Sequence, residues 1–345
     1  CPDGTALVVV GADGAEQPPV TYARLRDLGL RAAGALHGLK VGRGSIVFSA
    51  VGNSLQSVAL SVGSARLGAV WAPADQDLNT EQMSHLLRLY APSVAVLRDD
   101  CLDAAQALLR GARGDASPTQ LLGESAWRAL LSDAEAEGAS VPPEEPIDDD
   151  ATSILLLTSG TTGMPKSVMT TNLQLRSLVN IPFLAGKAAP GDGGTCLVYF
   201  GSPAWISYTF VFLKAMSGGD ALILGQEYSR DLYFNVVERH RPQILFFWPE
   251  VIVDFVALPE QTQARLAGIA QVLIYGGART PASALLHLCQ ALPATQIHQG
   301  YGASECFRVA SLTPADHAAA AGGGEAARRR LRSAGRPLGA VRVVD

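Results

Sequence analysis

Between Ile154 and Val168 the chain reads ILLLTSGTTGMPKSV. An apolar run leads straight into Thr158, Ser159, Gly160, Thr161, Thr162 and Gly163, with Lys166 three residues further on. These residue types suit an anion cradle. Glycine lets backbone N–H groups come close to a phosphate. Thr158, Ser159, Thr161 and Thr162 supply hydroxyl donors, and the Lys166 ammonium adds positive charge. Pro165 stiffens the exit. The spacing differs from the common nucleotide-triphosphatase loop, in which Lys and then Ser or Thr directly follow the second glycine. Here Met164 and Pro165 separate Gly163 from Lys166. On composition alone, a polar turn after a strand is the competing reading.

Such a loop has to be held by rigid elements, and the pattern around it supplies them. Short continuous apolar runs recur at Ala6–Val10, Ile46–Val51, Ala69–Ala72, Val94–Leu97, Ile154–Leu157, Cys196–Phe200, Ala221–Leu224, Ile244–Trp248 and Val272–Tyr275. Runs without polar alternation suit strands covered on both faces, as in parallel sheets. Stretches with helical spacing lie between them. One stripe is Leu25, Leu28, Ala32, Ala35, Leu36 and Leu39; another is Ala282, Leu285, Leu286, Leu288 and Leu292. The alternation predicts an α/β fold with helices on both sides of mainly parallel sheets. The stretch from Asp133 to Asp150 holds eight acids, three prolines and no Lys or Arg, and reads as a solvated linker. The expected domains are therefore a lobe at 1–150, a ligand-binding lobe at 151–332, and a third segment at 333–345. The stretch from Ala318 to Arg332 turns from Ala/Gly-rich to Arg-rich. A phosphate-binding patch is one reading of it; a mobile loop or solvated helix face is the one preferred.

The chain has 345 residues, 27 basic and 32 acidic, for a net charge of −5. A mildly acidic chain with no dominant basic face argues against a nucleic-acid binder. With 48% hydrophobic and 17% charged residues it has the apolar content for sizeable cores, which excludes a mainly disordered chain. No apolar run approaches the ~18 residues of a membrane span. Cys1, Cys101, Cys196, Cys289 and Cys306 are too widely spaced for a zinc site and odd in number. Reduced thiols in a cytoplasmic protein are expected. The first residue is Cys1 rather than Met, which suggests a piece cut from a longer polypeptide.

The segment TSGTTGMPK resembles the signature phosphate loop of the adenylate-forming superfamily, which includes acyl-CoA synthetases, luciferases and the adenylation domains of nonribosomal peptide and polyketide assembly lines. Further segments agree in the family's order. Gly276-Gly277-Ala278 after Tyr275 resembles its adenine-facing turn. Gly300-Tyr301-Gly302-Ala303-Ser304-Glu305 resembles its Y-G-x-[ST]-E motif, and Gly335-Arg336-Pro337-Leu338-Gly339 the opening of its third, β-rich subdomain. Thr21-Tyr22 with Leu25, Gly42, Asn53 and Gly68-Ala69-Val70 before Pro73 agree at the N-terminal end. The resemblance implies two stacked, mainly parallel sheets with flanking helices.

It also implies roles. Thr158 to Gly163 and Lys166 would cradle the β- and γ-phosphates of ATP. Gly276, Gly277 and Ala278 would meet the adenine edge, and Tyr301, beside Gly302, would stack on the ring. Ser304 would bond the α-phosphate or the substrate carboxylate, and Glu305 would hold Mg²⁺. Lys166, Glu305 and Thr161 carry the chemistry in this reading. Trp205, Tyr208, Trp248 and Gly300 would line the acid pocket. For Tyr301, a packed strand-end tyrosine stays open as an alternative; for Glu305, a solvated surface acid; for the tryptophans, ordinary core packing.

The chain departs from the family at three places. Ser167 stands where Gly usually follows the loop lysine, and Asn172 where His is common. The region where amino-acid adenylation domains keep an Asp for the substrate ammonium reads Pro203-Ala204-Trp205-Ile206-Ser207-Tyr208, with no acid. The expected substrate is therefore a carboxylic acid without a free α-amine. Its adenylate would pass to CoA or to the phosphopantetheine thiol of a carrier protein. The chain stops at Val343-Val344-Asp345, before the family's ribose-binding Asp motif, hinge and lysine-bearing lid, so slow adenylation by this piece alone is expected. Three alternatives stay open: an amino-acid or α-keto-acid adenylation domain, a module that binds nucleotide without chemistry, and a structural domain that binds none.

Overall fold

The computed structural model describes residues 1–111, 119–136, 146–158, 164–179 and 196–339. Ser159, Gly160, Thr161, Thr162 and Gly163 lie outside the described residues, as do 137–145 of the acidic stretch and 340–345.

Every apolar run becomes a strand, with ends shifted by at most two residues. The first sheet has the order Gln120–Gly123, Val94–Leu97, Ile46–Ala50, Val70–Pro73, Thr152–Thr158, Lys166–Thr171. Its strands are parallel except for the last pair, which is an antiparallel hairpin. The helices on it are set by local signals. Thr21 caps Tyr22–Gly38 by accepting from the Arg24 N–H at 3.2 Å. That helix buries Leu25, Leu28, Ala32 and Leu36 along one face. Asn79 and Gln82 cap Thr80–Tyr90 reciprocally. Its Met83, Leu86 and Leu87 pack with Phe48, Val70, Leu97 and Leu155 in one apolar cluster.

The second set of strands has the order Arg336–Pro337, Ala310–Leu312, Gln296–Tyr301, Val272–Gly276, Ile244–Phe247, Cys196–Tyr199, Ala221–Gly225. These are parallel from Ala221–Gly225 to Gln296–Tyr301 and antiparallel beyond. Tyr233, Phe234, Phe247 and Phe255 meet edge to face or tilted beneath them, arrangements that aromatic quadrupoles favour. Two mainly parallel sheets with flanking helices make this an α/β fold.

The compact units divide the chain elsewhere than the expected 150/151 boundary. The first comprises Cys1–Val9, Gln17–Asn180 and Gly201–Leu213; the second comprises Val10–Glu16, Ile181–Phe200 and Lys214–Asp345. Backbone pairing is the reason. Ile154 pairs in parallel with Trp71, so the strand leading into the Ser/Thr/Gly loop extends the first sheet instead of opening a new lobe. Likewise Arg336–Pro337 pairs with Ala310–Leu312, so residues up to 339 belong with the second unit. The Ala/Gly- and Arg-rich stretch takes the solvated-helix form of the reading preferred for it. It holds the helices Pro314–Ala321 and Glu325–Arg330, the first capped by Thr313 with Asp316. Arg330 reaches the Asp316 carboxylate at 3.2 Å, and Leu331 is buried behind it.

Candidate functional site

Two groups of the expected residues come together, one in each unit. In the first, Thr152–Thr158 and Lys166–Thr171 pair so that Thr158 lies opposite Lys166. The Thr158 hydroxyl donates to the Lys166 carbonyl at 3.5 Å. The hairpin thereby fixes both ends of the loop 159–165 and leaves the Lys166 side chain exposed at its exit. Asn172 has a structural partner: its amide donates to the Asp148 carbonyl at 2.8 Å. The buried Asn53 side chain donates to the Gly201 carbonyl at 2.6 Å, tying the first sheet to the segment before Trp205.

In the second unit, Val272–Gly276 and Gln296–Tyr301 run in parallel with Tyr275 opposite Gln299 and Gly276 opposite Gly300. This register brings two motifs 24 residues apart side by side. A cavity of about 560 Å³ opens there, lined by Gly277, Ala278, Gly300, Tyr301, Gly302 and Arg332 among others. The glycines are required by space. A Cβ on Gly276 would sit 2.6 Å from the Gly300 carbonyl oxygen, and one on Gly302 only 1.4 Å from that of Phe307. Tyr301 is 53% exposed, an open aromatic face at the cavity rather than a packed strand end. Beyond it the chain turns back through 302–309, closed by the Val309 N–H donating to the Tyr301 carbonyl at 2.8 Å. Ser304 and the exposed Glu305 stand on this turn.

Behind the cavity lies a polar cluster that carried no sequence motif. The Thr313 carbonyl can only accept, so His317 donates to it from Nδ1 at 2.7 Å. Nε2 of His317 then accepts the Tyr275 hydroxyl at 3.0 Å. Tyr275 is thus held as a wall of the cavity. Burial lowers the His317 pKa. On the neighbouring strand, burial and the charges of Arg308 and His317 lower His298 from 6.5 to about 4. Native His298 therefore stays neutral to about pH 4, whereas the unfolded chain takes up a proton below about 6.5. The unfolded state binds more protons in that window, so stability falls as pH drops through it. The thermal midpoint is expected to decline from pH 6.5 to 4 more steeply in the wild type than in His298→Gln. His317 shifts in the same direction, so part of the slope remains; equal slopes would refute the His298 share.

The acid-pocket residues part company. Trp205 is 43% exposed just before the helix Ile206–Gly218. Tyr208 is a core residue at 2% exposure, stacked on Phe212 and tilted on Trp71, because its place on the helix faces the first sheet's core. Trp248 is half-buried among Tyr199, Tyr228 and Tyr233, at the start of the helix Pro249–Val256. Of the thiols, burial and the nearby Asp220 carboxylate push Cys196 up to about 12, and burial pushes Cys289 to about 11, so both stay in the less reactive thiol form near neutral pH.

The AMP-binding enzyme family model matches residues 1–345. The chain belongs to the AMP-binding enzymes. It is 26% identical over 314 residues to "4-coumarate--CoA ligase 3" of Oryza sativa subsp. japonica, covering 87% of this chain and 54% of that one. It is 24% identical over 320 residues to "Phosphinothricin tripeptide synthetase PhsC" of Streptomyces viridochromogenes, covering 90% of this chain and 26% of that one. This AMP-binding chain thus spans about half the length of the ligase it matches. Its fold is similar to the luciferase-like enzyme from the Zophobas morio mealworm, with a TM-score of 0.76 at 21% identity, covering 94% of this chain and 74% of that one. No described helix is long and apolar enough to cross a membrane.

Proposed function

We propose that this AMP-binding chain binds ATP and a carboxylic acid lacking a free α-amine and activates the acid as its acyl-adenylate. A carboxylate oxygen attacks the α-phosphorus, the new acyl–O–P bond forms, and the bond to the pyrophosphate oxygen breaks. The observation that carries the reading is the cavity of about 560 Å³ where the Gly277-Ala278 turn and the open Tyr301 ring converge. A base stacked on Tyr301 with its edge against backbone at Gly276, Gly277 and Ala278 suits that shape. Thr158, Thr161, Thr162 and Lys166, with Ser159, Gly160 and Gly163, are assigned to the phosphates. Ser304 is assigned to the α-phosphate or the acid, and Trp205, Trp248 and Gly300 to the acid's apolar part.

The donor set fits Mg²⁺. Glu305 is an exposed carboxylate beside a hydroxyl, and Mg²⁺ is commonly held by one or two carboxylates together with substrate phosphates. Bound there, it would neutralise phosphate charge. This chain's own part in catalysis is to position the two reactants and to supply the Lys166 cation.

The acceptor is CoA or the phosphopantetheine thiol of a carrier protein. The rice relative's name supports the first, and the peptide synthetase's name the second. Since ATP and CoA are cytoplasmic substrates, the proposed site of action is the cytoplasm.

The test is ATP–pyrophosphate exchange across a panel of acids, with ATP binding measured alongside. Exchange that depends on an amine-free acid is expected. ATP binding without exchange on any acid would favour a nucleotide-binding module, and no ATP binding would overturn the reading.

A further inference from the structure

We propose that His85 and Tyr90 position Lys166 by clamping the chain on both sides of it, and that Ser167 is the receptor for one arm of that clamp. The inference rests on the reading that Lys166 meets ATP phosphates.

The helix Thr80–Tyr90 belongs to the same unit as the loop hairpin and is anchored in its core through Met83, Leu86 and Leu87. Two of its side chains, one mid-helix and one at the C-terminal end, reach the residues flanking Lys166. His85 Nε2 lies 3.2 Å from the Pro165 carbonyl oxygen and donates to it, since a carbonyl can only accept. The Tyr90 hydroxyl and the Ser167 hydroxyl form a short hydrogen bond. Tyr90 is 7% exposed with its ring tilted on Phe48, so its own position is fixed by packing. Burial raises the phenol pKa, so the group stays neutral. Across the hairpin, Thr158 takes hold of the carbonyl of Lys166 itself.

The physical need is plain. A lysine side chain has a flexible stem and finds an anion well only if its Cα is held. Here the carbonyl of the residue before that Cα and the side chain of the residue after it are both tied to a core-anchored helix. The arm depends on the Ser167 hydroxyl, which a glycine at this position would lack. What reads in the sequence as a tolerated departure becomes, in the fold, one end of a cross-element bond 77 residues long in sequence.

The experiment measures ATP and AMP affinity by calorimetry for Tyr90→Phe, Ser167→Gly and the double variant. Each single change removes one neutral hydrogen bond, and the expected loss of ATP affinity is about fivefold. AMP, which lacks the β- and γ-phosphates, should bind as before. The double variant should be no weaker than either single, because both remove the same bond. His85→Gln, which keeps a donor, should bind ATP better than His85→Leu. Unchanged ATP affinity in Tyr90→Phe overturns the proposal, and so does an equal loss for ATP and AMP, which would mark general loosening. Lys166→Ala separates the two readings. If it weakens ATP while Tyr90→Phe does not, only the clamp fails; if it leaves ATP unchanged, the phosphate assignment and the clamp fail together.

Discussion

Lys166→Ala is expected to weaken ATP binding by roughly 10- to 100-fold and to leave AMP binding unchanged. Lys166 opens the strand Lys166–Thr171, and its side chain is exposed where the loop 159–165 rejoins the sheet. Its Cα is fixed by the hairpin partner Thr158. A hydrogen bond to a charged group contributes about 1.5–3 kcal/mol, which corresponds to the stated range. AMP is the control because it keeps the base and α-phosphate but presents nothing to a cation assigned to the β- and γ-phosphates. Lys166→Arg should recover part of the loss, since it restores charge with a different donor geometry. Calorimetry with both nucleotides checks this; equal ATP affinity in wild type and Lys166→Ala would remove Lys166 from the site.

The second large effect concerns the acid. Selectivity for an amine-free acid over the matching α-amino acid is expected to be about 100-fold or more, read as pyrophosphate exchange with paired amino, keto and plain acids. No Asp or Glu occurs from Gly201 to Gly219. Ala204 and Tyr208 are packed in the core and carry no negative charge to pair an ammonium. Asp220, the next acid, is 4% exposed at the far end of the helix Ile206–Gly218. Near Trp248, Glu250 accepts from the indole N–H at 3.4 Å and Asp254 accepts the Tyr228 hydroxyl at 2.6 Å. An unpaired ammonium taken out of water costs several kcal/mol, and each ~1.4 kcal/mol is a factor of ten. A clear preference for an amino acid over its amine-free partner would overturn this and favour the amino-acid adenylation reading.

The sequence by itself determined the parts that depend on local order. Apolar runs such as Val94–Leu97 and Val272–Tyr275 are strands because burial on both faces leaves no other use for so many consecutive apolar residues. Thr21 and Asn79 start helices because their side chains satisfy the first free N–H groups. The motif around Lys166 and the one around Tyr301 were legible because nearly every residue in them is chemically distinctive.

Only the tertiary structure decided which of these residues meet. The strands Lys166–Thr171 and Gln296–Tyr301, which hold candidate residues, and Ala310–Leu312 beside the second are polar or mixed and gave no apolar run. They exist because the sheet edge beside them has backbone groups to satisfy, a condition no local window contains. The same holds for the unit boundary. An acidic, proline-rich stretch reads as a linker, yet the pairing of Ile154 with Trp71 puts the following strand in the preceding sheet. Tyr208 looked like a pocket residue because its type fits both a pocket and a core; its stacking on Phe212 settles it as core. His317 behind Tyr275, and Tyr90 against Ser167, were invisible in sequence because a hydrogen bond between residues 42 or 77 positions apart leaves no periodic trace.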